Sequence, residues 1–378
     1  VPDREPRRSL VTRHARVLVR LWMAVMVVAG LSAVARAQNA PAAAARPDDT
    51  PSVKIGGVLF TDFTYTKSPE STDSDGHPFN PSQFNVGRTY INITGNLNHI
   101  VNFRFTPDIA RESGAGSSLN GSLVYRVKYA FGQVNLDDWM SRGSWVRFGI
   151  QQTPWVDFQE GVYRYRFQGT VFSEREGYLS SSDAGVSFRY NMPSNYGEIH
   201  AGFYNGENYN RAEVNSQKAF QVRASVRPFA TGAVAARGLR VHGFYDADSY
   251  VKSGERRRAD VGVTFEHPRL NAGIEYLDTK DQTSATRAVV SGHGFSLWAT
   301  PRAKNGWEGL LRYDHMTPDT GLSNQTRTRT IVGAAYWFPR QGSVTSALLL
   351  DYDGQTFNNF ATAQPKQQRI AVHALLTF

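Results

Sequence analysis

Apolar and polar residues alternate with a period of two over most of this chain. At residues 101–106, 123–131, 184–190 and 220–227, every second side chain is apolar and most of those between are polar. Successive side chains of a β-strand point to opposite faces. The pattern therefore predicts strands with one apolar and one polar face.

Sixteen such segments are separated by turn-forming residues. They lie near 53–66, 84–95, 100–107, 122–135, 144–151, 183–191, 197–205, 219–228, 238–247, 258–266, 269–278, 291–300, 306–315, 328–338, 343–353 and 368–378. An even number of amphipathic strands is typical of a barrel that crosses the bacterial outer membrane. The last segment ends with alternating apolar residues and a terminal Phe378, an ending that resembles the assembly signal of bacterial outer-membrane proteins.

The connections between these segments alternate in length. The long ones, at 67–83, 108–121, 152–182 and 206–218, follow strands one, three, five and seven, and shorter ones lie between them at 96–99, 136–143 and 192–196. Outer-membrane barrels have this rhythm of long outer loops and short periplasmic turns. A soluble β-sandwich does not require it and needs a second sheet over each apolar face. The predicted fold is an all-β transmembrane antiparallel barrel of about 16 strands.

The N-terminal residues have the features of a signal peptide. Six arginines between Arg4 and Arg20 precede an uncharged run that ends at Ala35, which is shorter than the roughly 20 apolar residues of a membrane-spanning helix. A single-helix membrane anchor is the alternative for this stretch. We expect a signal peptide at 1–37, a flexible Ala/Pro-rich leader at 38–52, and an outer-membrane barrel at 53–378.

Charge and cysteine content narrow the function further. The formal net charge is +9, but seven Arg against two acidic residues in 1–37 account for +5 of it, so the remainder has no nucleic-acid-binding signature. Cysteine is absent, which excludes disulfides, thiol catalysis and zinc–thiolate sites. Histidines are scattered singly, and Ser346 with His315 is the kind of pair that arises by chance. We expect no enzyme, catalytic residue, cofactor or metal site.

If the apolar positions face lipid, the alternate positions face the lumen. The basic residues expected to line the pore are Arg88, Arg104, Arg126, Lys128, Arg147, Arg189, Arg223, Arg227 and Arg240. With four further arginines on later strands and seven inward carboxylates, the lumen would carry about six excess positive charges. Arginine suits an oxyanion pathway because its planar fork binds two oxygens and keeps its charge. The same basic ladder also occurs in porins without strong ion preference.

The connection at 152–182 is the longest, and a loop of this length rarely hangs free. Folded inward, it would narrow the pore. The charged residues of such a constriction would be Asp157, Glu160, Arg164, Arg166, Glu174 and Arg175. In the alternative, residues 162–167 form a hairpin at the mouth that packs on the wall or on a neighbouring subunit.

The residues from 53 to 378 resemble the phosphate-selective porin O and P family. The resemblance rests on Val53–Gly57, Arg88–Ile93, Lys128–Val134, Phe203–Gly206 and, most specifically, Arg147–Trp155. Family members typically show Gly-x-x-Lys-x-Pro-Phe in the last segment, whereas this chain has Gln152 and Trp155 at the Lys and Phe positions. The resemblance implies a trimeric sixteen-stranded channel for anions, with the third loop folded into the lumen.

These observations favour an exported porin of the bacterial outer membrane, a passive channel for small hydrophilic solutes with a bias toward phosphate-like oxyanions. Its expected partners are these solutes, outer-membrane lipid and two further copies of the chain. One alternative is a general or sugar-type porin, in which Phe60, Trp145, Phe244, Trp298 and Trp337 would form a stacking track. The other is a plugged barrel with a structural or adhesive role.

Overall fold

Sixteen long strands form one closed antiparallel barrel in the computed structural model, which describes residues 48–378. The strands are β1 (Ser52–Ser68), β2 (Ser82–Asn96), β3 (Val101–Arg111), β4 (Leu123–Asn135), β5 (Trp145–Gln152), β6 (Ser182–Asn191), β7 (Gly197–Tyr204), β8 (Ala219–Val226), β9 (Leu239–Asp248), β10 (Arg256–His267), β11 (Leu270–Asp281), β12 (Val290–Pro301), β13 (Trp307–Thr317), β14 (Thr326–Trp337), β15 (Thr345–Asn358) and β16 (Gln367–Thr377). Each corresponds to one predicted segment, so the predicted fold is confirmed. The predicted signal peptide and residues 38–47 of the leader lie outside the described residues.

The barrel closes between its first and last strands. β1 pairs with β16 in an antiparallel register that runs from Val58↔Thr377 to Ser68↔Gln368. The backbone of Phe378 continues this ladder, donating to the carbonyl of Gly57 at 3.0 Å and accepting from its N–H at 2.9 Å. Closure leaves none of these sixteen strands at an open edge, as the interior of a lipid bilayer requires.

The two ends of the barrel differ in the length of their connections. At one end, here called the loop end, the connections span 69–81, 112–122, 153–181, 205–218, 249–255, 282–289, 318–325 and 359–366. The opposite turn end has connections at 97–100, 136–144, 192–196, 227–238, 268–269, 302–306 and 338–344. The predicted alternation holds except at 227–238, which is longer than the loop at 249–255 because it contains a short helix, Val234–Arg237.

Two further helices lie in the connection at 153–181: α1 (Pro154–Tyr163) and α2 (Phe172–Arg175). Within residues 48–378, no helix is long and apolar enough to cross a membrane.

Apolar side chains cover much of the outside of the barrel. The exposed fractions of Ile274 and Leu350, on the outer face, are 48% and 55%, whereas the neighbouring inner-face carboxylates Glu275 and Asp351 are each 3% exposed. This distribution is the reverse of a soluble protein and typical of barrels whose outer face contacts lipid.

A β-bulge at Lys128 interrupts the alternation of β4. Thr106 pairs with Tyr129 but Pro107 pairs with Val127, so Lys128 is left between them. The extra residue shifts the phase, and Tyr129 and Phe131 turn inward instead of continuing the exposed outer row. The uninterrupted alternation predicted for 123–131 is therefore wrong. Pro107 lacks the backbone N–H that a regular ladder of hydrogen bonds uses, and within sheets proline is commonly found at bulges.

Candidate constriction site

The connection at 153–181, here called the constriction loop, folds into the barrel. Its helix α1 begins with Pro154, a favoured residue at the first helical position, and ends where Arg164 takes a left-handed backbone conformation at φ 66°. Trp155, Val156 and Tyr163 in α1 are at most 1% exposed. Residues 162–167 form no hairpin at the mouth.

Helix α1 lies on the inner face of β9 to β11. The indole N–H of Trp155 donates to the carboxylate of Glu275 at 3.2 Å, and the side-chain amide of Gln159 donates to the same oxygen at 3.3 Å. The Trp155 ring also lies 5.6 Å from the ring of Phe244. The amide of Asn271 donates to the carbonyl of Val162 at 2.8 Å. The helix is thus held by both polar and aromatic contacts.

The rest of the loop continues along β12 to β15 and reaches β1. Tyr163 packs on Trp298, and the indole N–H of Trp337 donates to the Tyr165 hydroxyl at 3.3 Å. Phe167 lies 6.4 Å from Phe60, ring centre to ring centre. These aromatic residues and the aliphatic side chains of the wall form one buried cluster.

The part of this wall that lies beneath the loop is apolar on both faces. Leu310 on β13, Ile331 on β14 and Leu349 on β15 point inward and are fully buried beneath the loop. The sequence carries a signal for this, since residues 347–350 are an uninterrupted apolar run. Strands covered on both faces have such runs, so the run identifies the wall on which the loop packs.

Most charges of the constriction loop are engaged in ion pairs. Arg166 bonds Glu160 at 2.5 Å and lies 3.9 Å from Glu174. Three tethers join the loop to the wall: Arg164–Glu308 at 3.8 Å, Arg175–Asp353 at 3.5 Å and Glu176–Arg327 at 3.0 Å. Burial raises the pKa of the Glu176 carboxyl, and Arg327 opposes this by favouring the charged form.

Asp157 is the exception among these loop charges. It is exposed to solvent although it lies inside the barrel, on the face of α1 that turns away from β9 to β11. Within residues 48–378 it has no cation within 4.0 Å, but its charge interacts with Arg147, Arg189 and Arg104 on the opposite strands and with Arg223 near the start of α1. Solvent therefore reaches the space between α1 and the opposite strands.

Those opposite strands, β2 to β6, carry six of the predicted pore-lining residues on their inner faces. This surface, here called the basic wall, consists of Arg88, Arg104, Arg126, Lys128, Arg147 and Arg189. From the strand directions, these residues form two tiers, one nearer the loop end and one nearer the turn end.

In the tier nearer the loop end, one carboxylate is shared by two of the three cations. Arg88 and Arg126 both bond Oδ2 of Asp108, at 2.5 and 3.0 Å. The Lys128 ammonium donates to the Ser181 hydroxyl and lies 4.2 Å from the ring centre of Tyr209. Tyr209 belongs to the fourth loop, at 205–218, and also stacks on Arg126. The sequence does not point to this second loop as part of the site.

Arg104 and Arg147, in the tier nearer the turn end, are held by uncharged partners. The Arg104 guanidinium stacks on Tyr129 and donates to Asn92 at 2.8 Å. Within the part of the chain that is described, neither arginine has a carboxylate within 4.0 Å. Their charges are therefore available to a solute.

The aromatic contacts of Arg147 fix its plane. Its guanidinium lies 4.6 Å from the ring centre of Phe131 and 3.8 Å from that of Trp145. It donates to Gln133 at 2.7 Å and to Gln152 at 3.0 Å. Gln152 lies at the position where the porin O and P family, which the sequence resembles, has a lysine. In this chain the position accepts a hydrogen bond from an arginine and adds no charge.

The remaining predicted pore residues are paired. Arg189 and Arg223 share the carboxylate of Glu198, and Arg223 also donates to the carbonyl of Pro154 at 2.7 Å. Arg227 and Arg240 lie 3.5 and 3.2 Å from Glu266 at the turn end. Arg223 is 2% exposed and holds the start of α1 rather than facing the lumen space.

The inner face also holds carboxylates that the sequence-based charge count left out. They are Asp108, Asp183, Glu198, Asp246 and Asp353. Alternation alone already places Glu198 and Asp183 inward, whereas Asp108 lies beyond the predicted end of its strand. These residues offset most of the predicted excess of about six positive charges. Which cations remain free depends on local ion pairing more than on the net charge of the lumen.

Comparison with known proteins gives a likeness in fold. No protein-family model matches the sequence, and no curated protein does. OmpT of Vibrio cholerae with loop L8 deleted, an outer-membrane protein, is 16% identical with a TM-score of 0.59, and the match covers 87% of this chain and 100% of OmpT. An anion-selective porin from Comamonas acidovorans is 12% identical with a TM-score of 0.58, covering 87% and 100%.

The outer-membrane channel DcaP of Acinetobacter baumannii is 11% identical with a TM-score of 0.57, covering 87% of this chain and 97% of DcaP. The shared property is the outer-membrane barrel fold. At these identities the likeness is one of architecture, so function has to be argued from the residues of this chain.

Proposed function

We propose that this chain is an outer-membrane porin, a passive diffusion channel for small hydrophilic solutes with a bias toward anions. The observation that carries the proposal is the solvent-reached space between the basic wall and α1. On one side, Arg104 and Arg147 have only uncharged partners. On the other, Asp157 is exposed. An anion crossing this space meets two permanently charged guanidinium groups whose orientation is already fixed.

The position of the loop argues against a plugged barrel. Most of its buried contacts lie on β8 to β15 and on β1, while Tyr90 of β2 and Lys128 of β4 also contact it. Most of the basic wall is therefore left uncovered. Arg88, Arg126 and Arg189 there keep side-chain exposures of 24%, 27% and 31% inside the barrel. A plug would bury these groups as well.

The structure leaves few of the aromatic residues of the sugar-type alternative accessible to a solute. Phe60, Phe244, Trp298 and Trp337 are covered by Phe167, Trp155, Tyr163 and Tyr165 of the constriction loop. Trp145 is stacked under Arg147 and is 5% exposed. A sugar ring therefore finds no continuous aromatic surface.

A general porin without strong ion preference is the second candidate. The carboxylates on the inner face and Asp157 opposite the arginines favour it, because opposed charges orient polar solutes while cancelling much of the net field. The two candidates differ in one measurable quantity, the ratio of anion to cation permeability.

The enzyme hypothesis finds no support in the positions of Ser346 and His315. His315 pairs with Thr328 near the loop end, whereas Ser346 pairs with Leu376 near the turn end. The proposal that the chain is not an enzyme rests on this separation and on the scattered histidines.

We also propose the assignments that accompany a porin: membership of the phosphate-selective porin O and P family, an N-terminal signal peptide, the bacterial outer membrane as location, and a homotrimer. One similar structure, of Vibrio cholerae OmpT, is a trimer form. Native mass spectrometry of the purified protein tests the trimer, and N-terminal sequencing of protein from the outer membrane tests cleavage before Gln38.

The deciding experiment is the zero-current potential of the purified protein in a planar bilayer under a salt gradient. We expect an anion-selective sign, and block of the chloride current when phosphate is added to one side. The variant Arg104→Gln/Arg147→Gln should lose this preference. Arg257→Gln/Lys280→Gln, which removes two charges near the loop end of β10 and β11, serves as the matched control. Cation selectivity in the wild type contradicts the anion bias, and absence of any conductance contradicts the channel.

A further inference from the structure

Two carboxyl groups lie side by side beneath α1 on the inner wall. Asp260 of β10 pairs with Leu277, and Glu275 of β11 pairs with Gly262, so the two side chains are diagonal neighbours on one face of the sheet. They are 0% and 3% exposed. Diagonal neighbours on adjacent strands are close enough for charged groups to interact.

The two groups differ in their hydrogen bonds. One Glu275 oxygen accepts from both Trp155 and Gln159 of α1, which suits a charged carboxylate. Among residues 48–378, neither oxygen of Asp260 has a hydrogen-bond partner. Asp260 is enclosed by Phe244 on one side, Leu277 on the other and Trp155 nearby.

The surrounding cations are already engaged. On β10, Arg258 bonds Asp281 at 2.6 Å and the carbonyl of Tyr178 at 3.2 Å. On β13, Arg312 bonds Asp314 at 2.8 Å. The element above, α1, faces the pair with the neutral Trp155 and Gln159, and His242 on β9 bonds the hydroxyls of Ser225 and Thr264.

The pair therefore has two acidic groups and no cation of its own. A buried charge without a partner costs several kcal/mol, and a second like charge beside Glu275 adds to this cost. Asp260 incurs neither the cost of an unpaired buried charge nor the repulsion from Glu275 while it keeps its proton.

We propose that the protonated form of Asp260 positions the constriction loop, and that loss of this proton releases α1 from β9 to β11. On deprotonation the O–H bond of the Asp260 carboxyl breaks and the proton passes to water in the lumen. The new charge repels Glu275 and draws water beneath Trp155. Alkaline pH thus widens the constriction, an inference that rests on the proposed role of the loop in a channel.

Thiol labelling tests this proposal without any need for conduction, because the chain contains no cysteine. Val156→Cys places a thiol on the buried face of α1, and Gly161→Cys places one on its exposed face, where an added Cβ meets nothing within 4 Å. The measured quantity is the ratio of their labelling rates by a small methanethiosulfonate. Comparing this ratio with and without Asp260 removes the pH dependence of the thiols themselves. If Val156→Cys does not fold, Val162→Cys at another buried position of α1 replaces it.

We expect this ratio to rise at least fivefold between pH 6.5 and pH 9.5 with Asp260 in place. With Asp260→Asn, which mimics the protonated form, we expect less than a twofold change. Asp351→Asn removes another buried inner carboxyl, which bonds His373 away from α1, and should keep the full response. A flat ratio with Asp260 present, or the same rise with Asp260→Asn, overturns the proposal. Either result leaves the channel function itself to be decided by the zero-current potential.

Discussion

At the scale of single residues, Gly149 is a position where the backbone leaves little freedom. Its φ of 125° lies in a region that side chains rarely adopt, and a Cβ added there would come within 2.2 Å of the carbonyl oxygen of Ala130. Gly149 pairs with Phe131, three residues after the bulge at Lys128. The close approach of β5 and β4 at this point keeps Phe131 and Arg147 in contact.

We expect Gly149→Ala to destabilise the barrel by roughly 1–3 kcal/mol, the usual cost of a residue forced into such a conformation. The matched control is Gly132→Ala on the neighbouring strand, where an added Cβ meets nothing within 4 Å. Urea unfolding followed by tryptophan fluorescence measures both. Equal stability of the two variants would show that β5 can relax away from Ala130.

At the scale of elements, α1 decides how much of the lumen stays open. One face of this helix is buried against β9 to β11 and the other carries the exposed Asp157. Trp155 is the largest buried side chain on the first face and is 0% exposed. The two faces can therefore be changed separately, one to alter the position of the helix and the other to alter the charge in the lumen.

Trp155→Ala should release the helix, since deleting a buried tryptophan side chain costs about 3–5 kcal/mol. We expect single-channel conductance to rise and become noisier. Asp157→Asn on the opposite face should leave conductance near the wild-type value and increase anion preference. Single-channel recording in a planar bilayer separates the two effects. An unchanged conductance in Trp155→Ala would mean that α1 does not limit the current.

At the scale of the whole molecule, charge is distributed unequally around the lumen. The basic wall occupies β2 to β6, while the carboxylates Glu275 and Asp351 lie on β11 and β15 beneath or beside the constriction loop. The free cations and the loop thus face each other across the solvent-reached space. Selectivity then depends on a field that acts over the width of the lumen.

Such a field is screened by salt. The Debye length is about 10 Å at 0.1 M and about 3 Å at 1 M ionic strength. We expect anion preference, measured as the zero-current potential at a fixed tenfold gradient, to fall as both salt concentrations are raised together. A preference that is constant over this range would point to direct binding of ions at Arg104 and Arg147 in place of a long-range field.

The sequence alone determined the number of strands, their order and the position of the long loop. These follow from local properties: the period of two fixes which face each residue takes, and turn residues fix where strands end. The inward direction of Arg104, Arg147 and Arg189 came from the same rule. Even the wall that receives the loop left a local trace in the apolar run at 347–350.

Only the tertiary structure decided which of these arginines are free. The deciding contacts join residues on different strands and loops. Arg88 and Arg126 pair with Asp108, Arg147 stacks on Phe131 and Trp145, and Tyr209 of another loop contacts Lys128. The bulge at Lys128 has the same character, because it depends on the register between β3 and β4. Such contacts are set by strand register and by packing between distant segments. The pattern of residues along a single strand contains no information on either.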